Sequence, residues 1–322
     1  MTIIGFHASH EQVDPGSLLD AVQLAERAGF DAAMCSDHLA PWSARQGHSG
    51  FAWAWLGAAL ATTSLRLGVV CAPGQRYHPA IVAQASATLA AMFPGRFWAA
   101  LGAGENSNEH VTGDPWPVKE VRDARLLEVV DVIRRLHAGE EVTHHGLVTV
   151  DRARVWTLSA EPPPLIGPAV TVATAQRAAS WADGLITINQ EHDLLREMIA
   201  TYREAGGRGP LAIQVHVSWA PTQAEAEAIA FDQWRSNVFP PPVCWDLATP
   251  EHFDVASRHV RPDDVARAVR ISADLDQHAA WLAEYAELGF DEIYVHHVGQ
   301  EQTAFVEAFG RSVLPQLRGE AR

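Results

Sequence analysis

Residues 36–42 read SDHLAPW, so that a carboxylate (Asp37), an imidazole (His38) and an indole (Trp42) follow at the point where an apolar run stops. A histidine accepts or donates a proton near neutrality, and a nearby carboxylate orients it. Other residues able to take part in such chemistry recur at the ends of apolar runs: Glu11 after the first, Glu105 and Asn108 within GAGENSNEH, and His296 and His297 near the end of the chain. Two acids, several histidines and Trp42 around one opening suit proton transfer beside a flat aromatic ligand. A histidine pair can also hold a metal, but a metal-dependent barrel hydrolase normally wants His-x-His on its first strand, and this one carries only His7 after Phe6. No metal is therefore expected. The stretch IGPAVTVATAQRAASWADGLI (166–186) runs from a strand through Gly167, Pro168 and Ala169 into a helix, whose unpaired first amides could seat a phosphate or could belong to a plain turn.

These residues need a frame. Eight short apolar runs, 2–8, 31–37, 65–72, 96–103, 164–167, 183–189, 211–219 and 292–298, alternate with amphipathic helical patterns such as 15–30, 80–93 and 276–290. That alternation is the signature of βαβ units around a parallel sheet. Eight repeats predict an α/β fold of the TIM (β/α)₈ barrel type, ahead of an open doubly wound sheet. In a barrel the polar residues at the C-terminal strand ends share one mouth. Two segments exceed simple connections: 139–163, which reads as a hairpin, and the Pro-rich 236–262, which reads as an irregular lid. Both are expected over the mouth. The remainder predicts a single domain over 1–322, with no repeat or change of composition.

Composition narrows the functional classes. The chain has 322 residues, of which 48% are hydrophobic and 20% charged, as in a soluble globular protein. No run approaches the roughly 18 apolar residues of a membrane span, and the N-terminus lacks the basic region of a signal peptide, so the expected location is cytoplasmic. The net charge is -15 and the only lysine is Lys119, which argues against nucleic acid or an anionic membrane as partner. Cys35, Cys71 and Cys244 show no CxxC spacing and read as isolated thiols.

The segments HASHEQ, SDHLAPW, GHSGFAWAW, RYHPAIVAQASATLAAMFPGR, GAGENSNEHVTGDPWP, GPAV…WADGLI and FVEAFGRSVLPQLR, in that order, resemble the luciferase-like flavin monooxygenase superfamily. Within it they resemble the subgroup of the F420-dependent glucose-6-phosphate dehydrogenases. The resemblance implies a TIM barrel that binds FMN or the 5-deazaflavin coenzyme F420, and it leaves open which. It implies a role for His38 as catalytic base and Glu105 as acid, with Trp42 and Glu11 as partners in the substrate pocket. Asp37 and Asn108 would line the ring site, Val70–Cys71 would form a non-proline cis peptide behind the ring, and Gly167, Pro168 and Ala169 would match the cofactor-phosphate turn.

It further implies a homodimer, a small-molecule substrate and a separate flavin or F420 reductase as partner. The positions matching the basic phosphate clamp of the sugar-phosphate enzymes hold Glu191, Cys244 and Ala268. The lid residues Phe239, Val243 and Trp245 would offer an apolar lining instead. The expected activity is hydride transfer with a neutral alcohol or aldehyde rather than glucose 6-phosphate. The alternatives are a two-component monooxygenase using reduced FMN, or a flavin-binding protein without turnover.

Overall fold

The computed structural model describes residues 2–319, so that Met1 and residues 320–322 of the expected span lie outside it. All eight expected strands form: β1 (Ile3–Ala8), β2 (Ala32–Ser36), β3 (Arg66–Cys71), β4 (Phe97–Leu101), β5 (Leu165–Pro168), β6 (Leu185–Ile188), β7 (Leu211–Ser218) and β8 (Glu292–His297). Each pairs in parallel with the next, and β8 returns to β1 through Ile3↔Glu292 to Phe6↔Val295, closing the barrel. Helices cover the outside. The first, Pro15–Ala28, starts because Asp14 caps the Gly16 and Ser17 amides at 3.1 Å, and it stops at Gly29, whose φ of +98° suits glycine.

Side chains alternate between barrel interior and helical layer. Trp98 and Tyr294 fill the bottom of the interior together with Met34, Ala100, Ile166 and Ala212. Their bulk is accommodated by missing side chains on neighbouring strands: a Cβ on Gly68 would lie 1.9 Å from Trp98, and one on Gly5 would lie 2.4 Å from Tyr294. Above this plug the next inward positions, His7, Ser36, Val70, Pro168, Ile188, His216 and His296, surround an open cavity. The sheet thus turns a two-residue period into a floor for a site.

The two insertions part ways. Residues 142–153 form the expected hairpin, but it packs on the outer helices, with His144 Nε2 2.8 Å from Glu128 and Thr149 O 2.8 Å from His78 Nε2. It lends no residue to the cavity lining. The 236–262 segment does cover the mouth, and it is pinned at two carboxylates. Asp246 accepts a 3.0 Å bond from Trp116 Nε1, while Asp254 accepts bonds from Ser43 Oγ (2.6 Å) and Arg45 Nη1 (2.7 Å). No helix among the described residues is long and apolar enough to cross a membrane.

The expected cis peptide at Val70–Cys71 is absent; the cis bond among the described residues is Pro241–Pro242. Val70 and Cys71 are regular members of β3, in register with Ala100 and Leu101. Their carbonyls accept from the Asp37 and Gly102 amides, each at 2.8 Å. A trans peptide satisfies both neighbouring strands, so the ladder holds it flat.

Candidate active site

Glu11, on the loop after β1, and His38, on the loop after β2, meet above the plug: Glu11 Oε1 lies 2.5 Å from His38 Nδ1. Ser9 Oγ donates to the other Glu11 oxygen at 2.7 Å, fixing the carboxylate. Glu11 is thus the orienting partner of His38 as well as a wall of the cavity. On the opposite edge of the imidazole, Nε2 faces Glu105 at 3.6 Å, beyond hydrogen-bond reach. An oxygen seated beside the two, off the line between them, can meet both groups. Trp42 stands edge-on to His38 with ring centres 5.2 Å apart and is itself backed edge-on by Phe253 of the lid.

Burial opposes charge on His38, but the Glu11 charge and hydrogen bond outweigh it, helped by Glu105, and push its pKa up to about 9. The reverse holds for Glu11: burial would raise its pKa, yet His38 holds it at about 2. His38 is therefore an imidazolium at neutral pH, a proton store whose Nε2–H points into the cavity. Glu105 is shifted upward by burial, with the His38 charge working against the shift.

Asn108 ties two mouth loops together, its Oδ1 accepting from the Leu39 amide at 2.8 Å while its Nδ2 donates to Glu105 at 3.3 Å. Asp37 is buried, with Arg76 Nη2 3.2 Å from its Oδ2 and its Oδ1 without a partner. His38, Trp42, Glu11 and Glu105 line a cavity of about 420 Å³. Asp37, Cys71 and Asn108 line an adjoining one of about 170 Å³, which shares Val70, Pro168, Ala169 and Trp245 with the first. The joint space has apolar faces from Val70, Ala169, Ile186 and Ile188 and polar residues, Asp37, Glu105 and Asn108, along one edge. A flat tricyclic ring with a polar edge fits it.

The turn expected to seat the cofactor phosphate contributes less than its sequence suggests. The Gly167 amide donates to Gly184 O, the Ala169 amide donates to Ile186 O, and Pro168 has none. Gly167 serves packing, since a Cβ there would lie 2.6 Å from Ala178. Pro168 and Ala169 line the space together with Thr174 and with Lys119, whose Nζ pairs with Asp123. Arg177 Nη2 also reaches Asp123 at 2.9 Å, so two cations surround one acid. Lys119, as the sole lysine, was the signal available in the sequence for this anion-favouring end.

Among the described residues no Lys or Arg lines the larger cavity, while Cys244 and Ala268 do. Arg270 is held by the Tyr285 hydroxyl at 2.9 Å, and the Arg235 guanidinium lies over the Phe231 ring. Phe239 and Trp245 line the cavity as expected, whereas Val243 is 43% exposed and does not. The two terminal histidines diverge by strand alternation: His296 faces the cavity and His297 stacks on Phe305 outside the barrel.

A family model described as luciferase-like monooxygenase matches residues 2–292. An F420-dependent glucose-6-phosphate dehydrogenase of Beutenbergia cavernae is 34% identical, covering 100% of this chain and 99% of its own. Among solved structures, an F420-dependent secondary alcohol dehydrogenase in complex with an F420–acetone adduct superposes with a TM-score of 0.90 at 29% identity, over 98% of this chain and 99% of its own. A long-chain alkane monooxygenase, at 15% identity and a TM-score of 0.75, covering 100% of this chain and 92% of its own, shares the fold.

Proposed function

The chain belongs to the luciferase-like monooxygenase family, and from that premise we propose that it is an F420-dependent oxidoreductase interconverting a small uncharged alcohol and its carbonyl compound. One observation carries the reading: the Glu11–His38 pair presents Nε2 to Glu105 across a 3.6 Å gap, inside a cavity whose lining holds no Lys or Arg. A phosphate dianion there would lose its water without gaining a charged donor, at a cost of several kcal/mol. An alcohol or ketone carries no such penalty. The similarity to a secondary alcohol dehydrogenase supports the same choice over the sugar phosphate of the Beutenbergia relative's name.

Asp37, Val70, Cys71, Asn108, Pro168 and Ala169 would hold the ring of F420, with Lys119 and Thr174 toward its phosphate. Bound there, the cofactor supplies two-electron hydride chemistry. The protein supplies the proton. In carbonyl reduction the His38 imidazolium gives its Nε2 proton to the developing alkoxide; in alcohol oxidation the neutral imidazole takes the hydroxyl proton. Glu11 holds the ring in place through Nδ1, Glu105 contacts the same oxygen, and Trp42, Phe239 and Trp245 exclude water.

Titration of the apoprotein with F420 and with FMN, followed by alcohol oxidation with and without O₂, tests this reading. Tight F420 binding with O₂-independent turnover is expected. Substrate oxygenation that requires reduced FMN and O₂ would replace it with the monooxygenase reading.

A further inference from the structure

The strand order brings three histidines together on the part of the cavity wall built by β7, β8 and β1. β7, β8 and β1 are neighbours, so His216, His296 and His7 occupy adjacent inward positions. His7 stacks on His296 with ring centres 4.2 Å apart, and Trp234 packs on His216 and His296 at 4.6 and 4.9 Å. Gln214 ties them together. Its amide donates one hydrogen to His216 Nε2 at 3.1 Å and the other to His296 Nδ1 at 3.0 Å. His296 Nε2–H then donates to Gln12 Oε1 at 2.8 Å.

This network fixes the tautomers. His216 accepts at Nε2 and so carries its hydrogen on Nδ1, which has no partner among the described residues; Gln214 Oε1 likewise has none. His7 Nδ1 is buried and unpartnered as well, on a residue only 2% exposed. His7, Gln214, His216 and His296 all line the cavity. The wall therefore carries one free donor and one free acceptor, and a hydroxyl, which both donates and accepts, is a group that can pair with either.

We propose that His7, Gln214, His216 and His296 form an uncharged subsite for a second hydroxyl of the substrate, other than the one that is oxidised. The inference rests on the alcohol reading above and narrows it from alcohols in general to diols and related polyhydroxy compounds. Burial lowers the pKa of His7 to about 4 and of His216 to about 3, so the wall is neutral where the His38 end is ionic. A monofunctional alcohol leaves the donor and acceptor unpaired once water is displaced, which is how a polar site rejects an apolar analogue.

The test is calorimetric binding, alongside turnover, with protein saturated by its cofactor. The probes are 2-hexanol, a series of hexanediols that keep the secondary alcohol and move the second hydroxyl, and the phosphate monoester of the best diol. At least one diol is expected to bind about tenfold or more tightly than 2-hexanol, with that preference falling toward unity in Gln214→Leu and His216→Phe. No preferred diol, a preference that survives both substitutions, or tighter binding of the phosphate ester would overturn the proposal. Substitutions that weaken cofactor affinity while keeping the diol preference would overturn it too, assigning the wall to the cofactor ring. Diol-selective binding without turnover would leave the subsite standing and sink the alcohol reading instead.

Discussion

Glu11 Oε1 sits 2.5 Å from His38 Nδ1, so a carboxylate at the end of the first strand sets both the orientation and the charge of an imidazole at the end of the second. That contact decides the pH dependence. With the His38 pKa near 9, alcohol oxidation needs the neutral imidazole and should rise with pH through about 9, while carbonyl reduction needs the imidazolium and should fall over the same range. In Glu11→Gln the opposing charge is gone, burial dominates, and the limb is expected below 6.5. A limb that stays near 9 in that variant would assign the titration to another group.

His38→Ala should lower kcat by about 10²–10⁴-fold while leaving the cofactor Kd within a few fold, because the imidazole handles a proton and contributes little to ring binding. Glu105→Gln keeps the side-chain shape and should lower kcat at least about tenfold. Steady-state kinetics with fluorescence titration of the cofactor checks both. Full activity in the two variants would remove this pair from the reaction.

Gly68→Ala is expected to cost about 1–3 kcal/mol or more, read as a fall in Tm, since its Cβ would lie 1.9 Å from the Trp98 ring in the plug that supports the cavity floor. Gly57→Ala is the control. It lies inside the helix Ala52–Thr62 with nothing within 4 Å of the new methyl, so it should stabilise by about 0.5–1 kcal/mol. Equal effects would mean that backbone freedom, and not the fit of Trp98, governs Gly68.

The eight strands and the ring of polar residues at their ends were legible because a two-residue period and a stop are local properties of the chain. The His7–His216–His296 wall was not: the sequence offered His296 at a strand end and His7 only as an incomplete metal motif, and nothing joined them to His216, since the three meet only because β7, β8 and β1 become neighbours on closure. The Glu11–His38 contact was half legible, since the sequence offered both residues as site members but gave no sign that the acid grips the imidazole. The cis peptide expected at Val70–Cys71 came from resemblance alone, and two flanking strands in register hold that peptide trans. Lys119 escaped notice as a site residue because its partner Asp123 makes it read as one i,i+4 pair on a helix surface.

Acid should weaken the fold through the same buried histidines. His7, His216, His278 and His297 have folded-state pKa values of about 4, 3, 4 and 3, below the 6.5 of an exposed histidine, so the unfolded chain takes up their protons first. Stability is then complete above about 6.5 and declines as pH falls toward 4, by roughly 1–2 kcal/mol per histidine at pH 5. His38, shifted the other way, adds no loss in this window. Thermal unfolding from pH 7 to 5 should show a Tm that falls steadily; a flat Tm would mean that these side chains do not stay neutral in the folded state.

The central claim, a proton-relay site built for an uncharged substrate, is tested most directly by kcat/KM with F420 for neutral secondary alcohols against glucose 6-phosphate in the same assay. Saturable oxidation of the neutral alcohols, with glucose 6-phosphate at least about 100-fold poorer, is the predicted result. Efficient, saturable oxidation of glucose 6-phosphate would contradict it, and would mean that an arginine outside the present lining moves in to bind the phosphate.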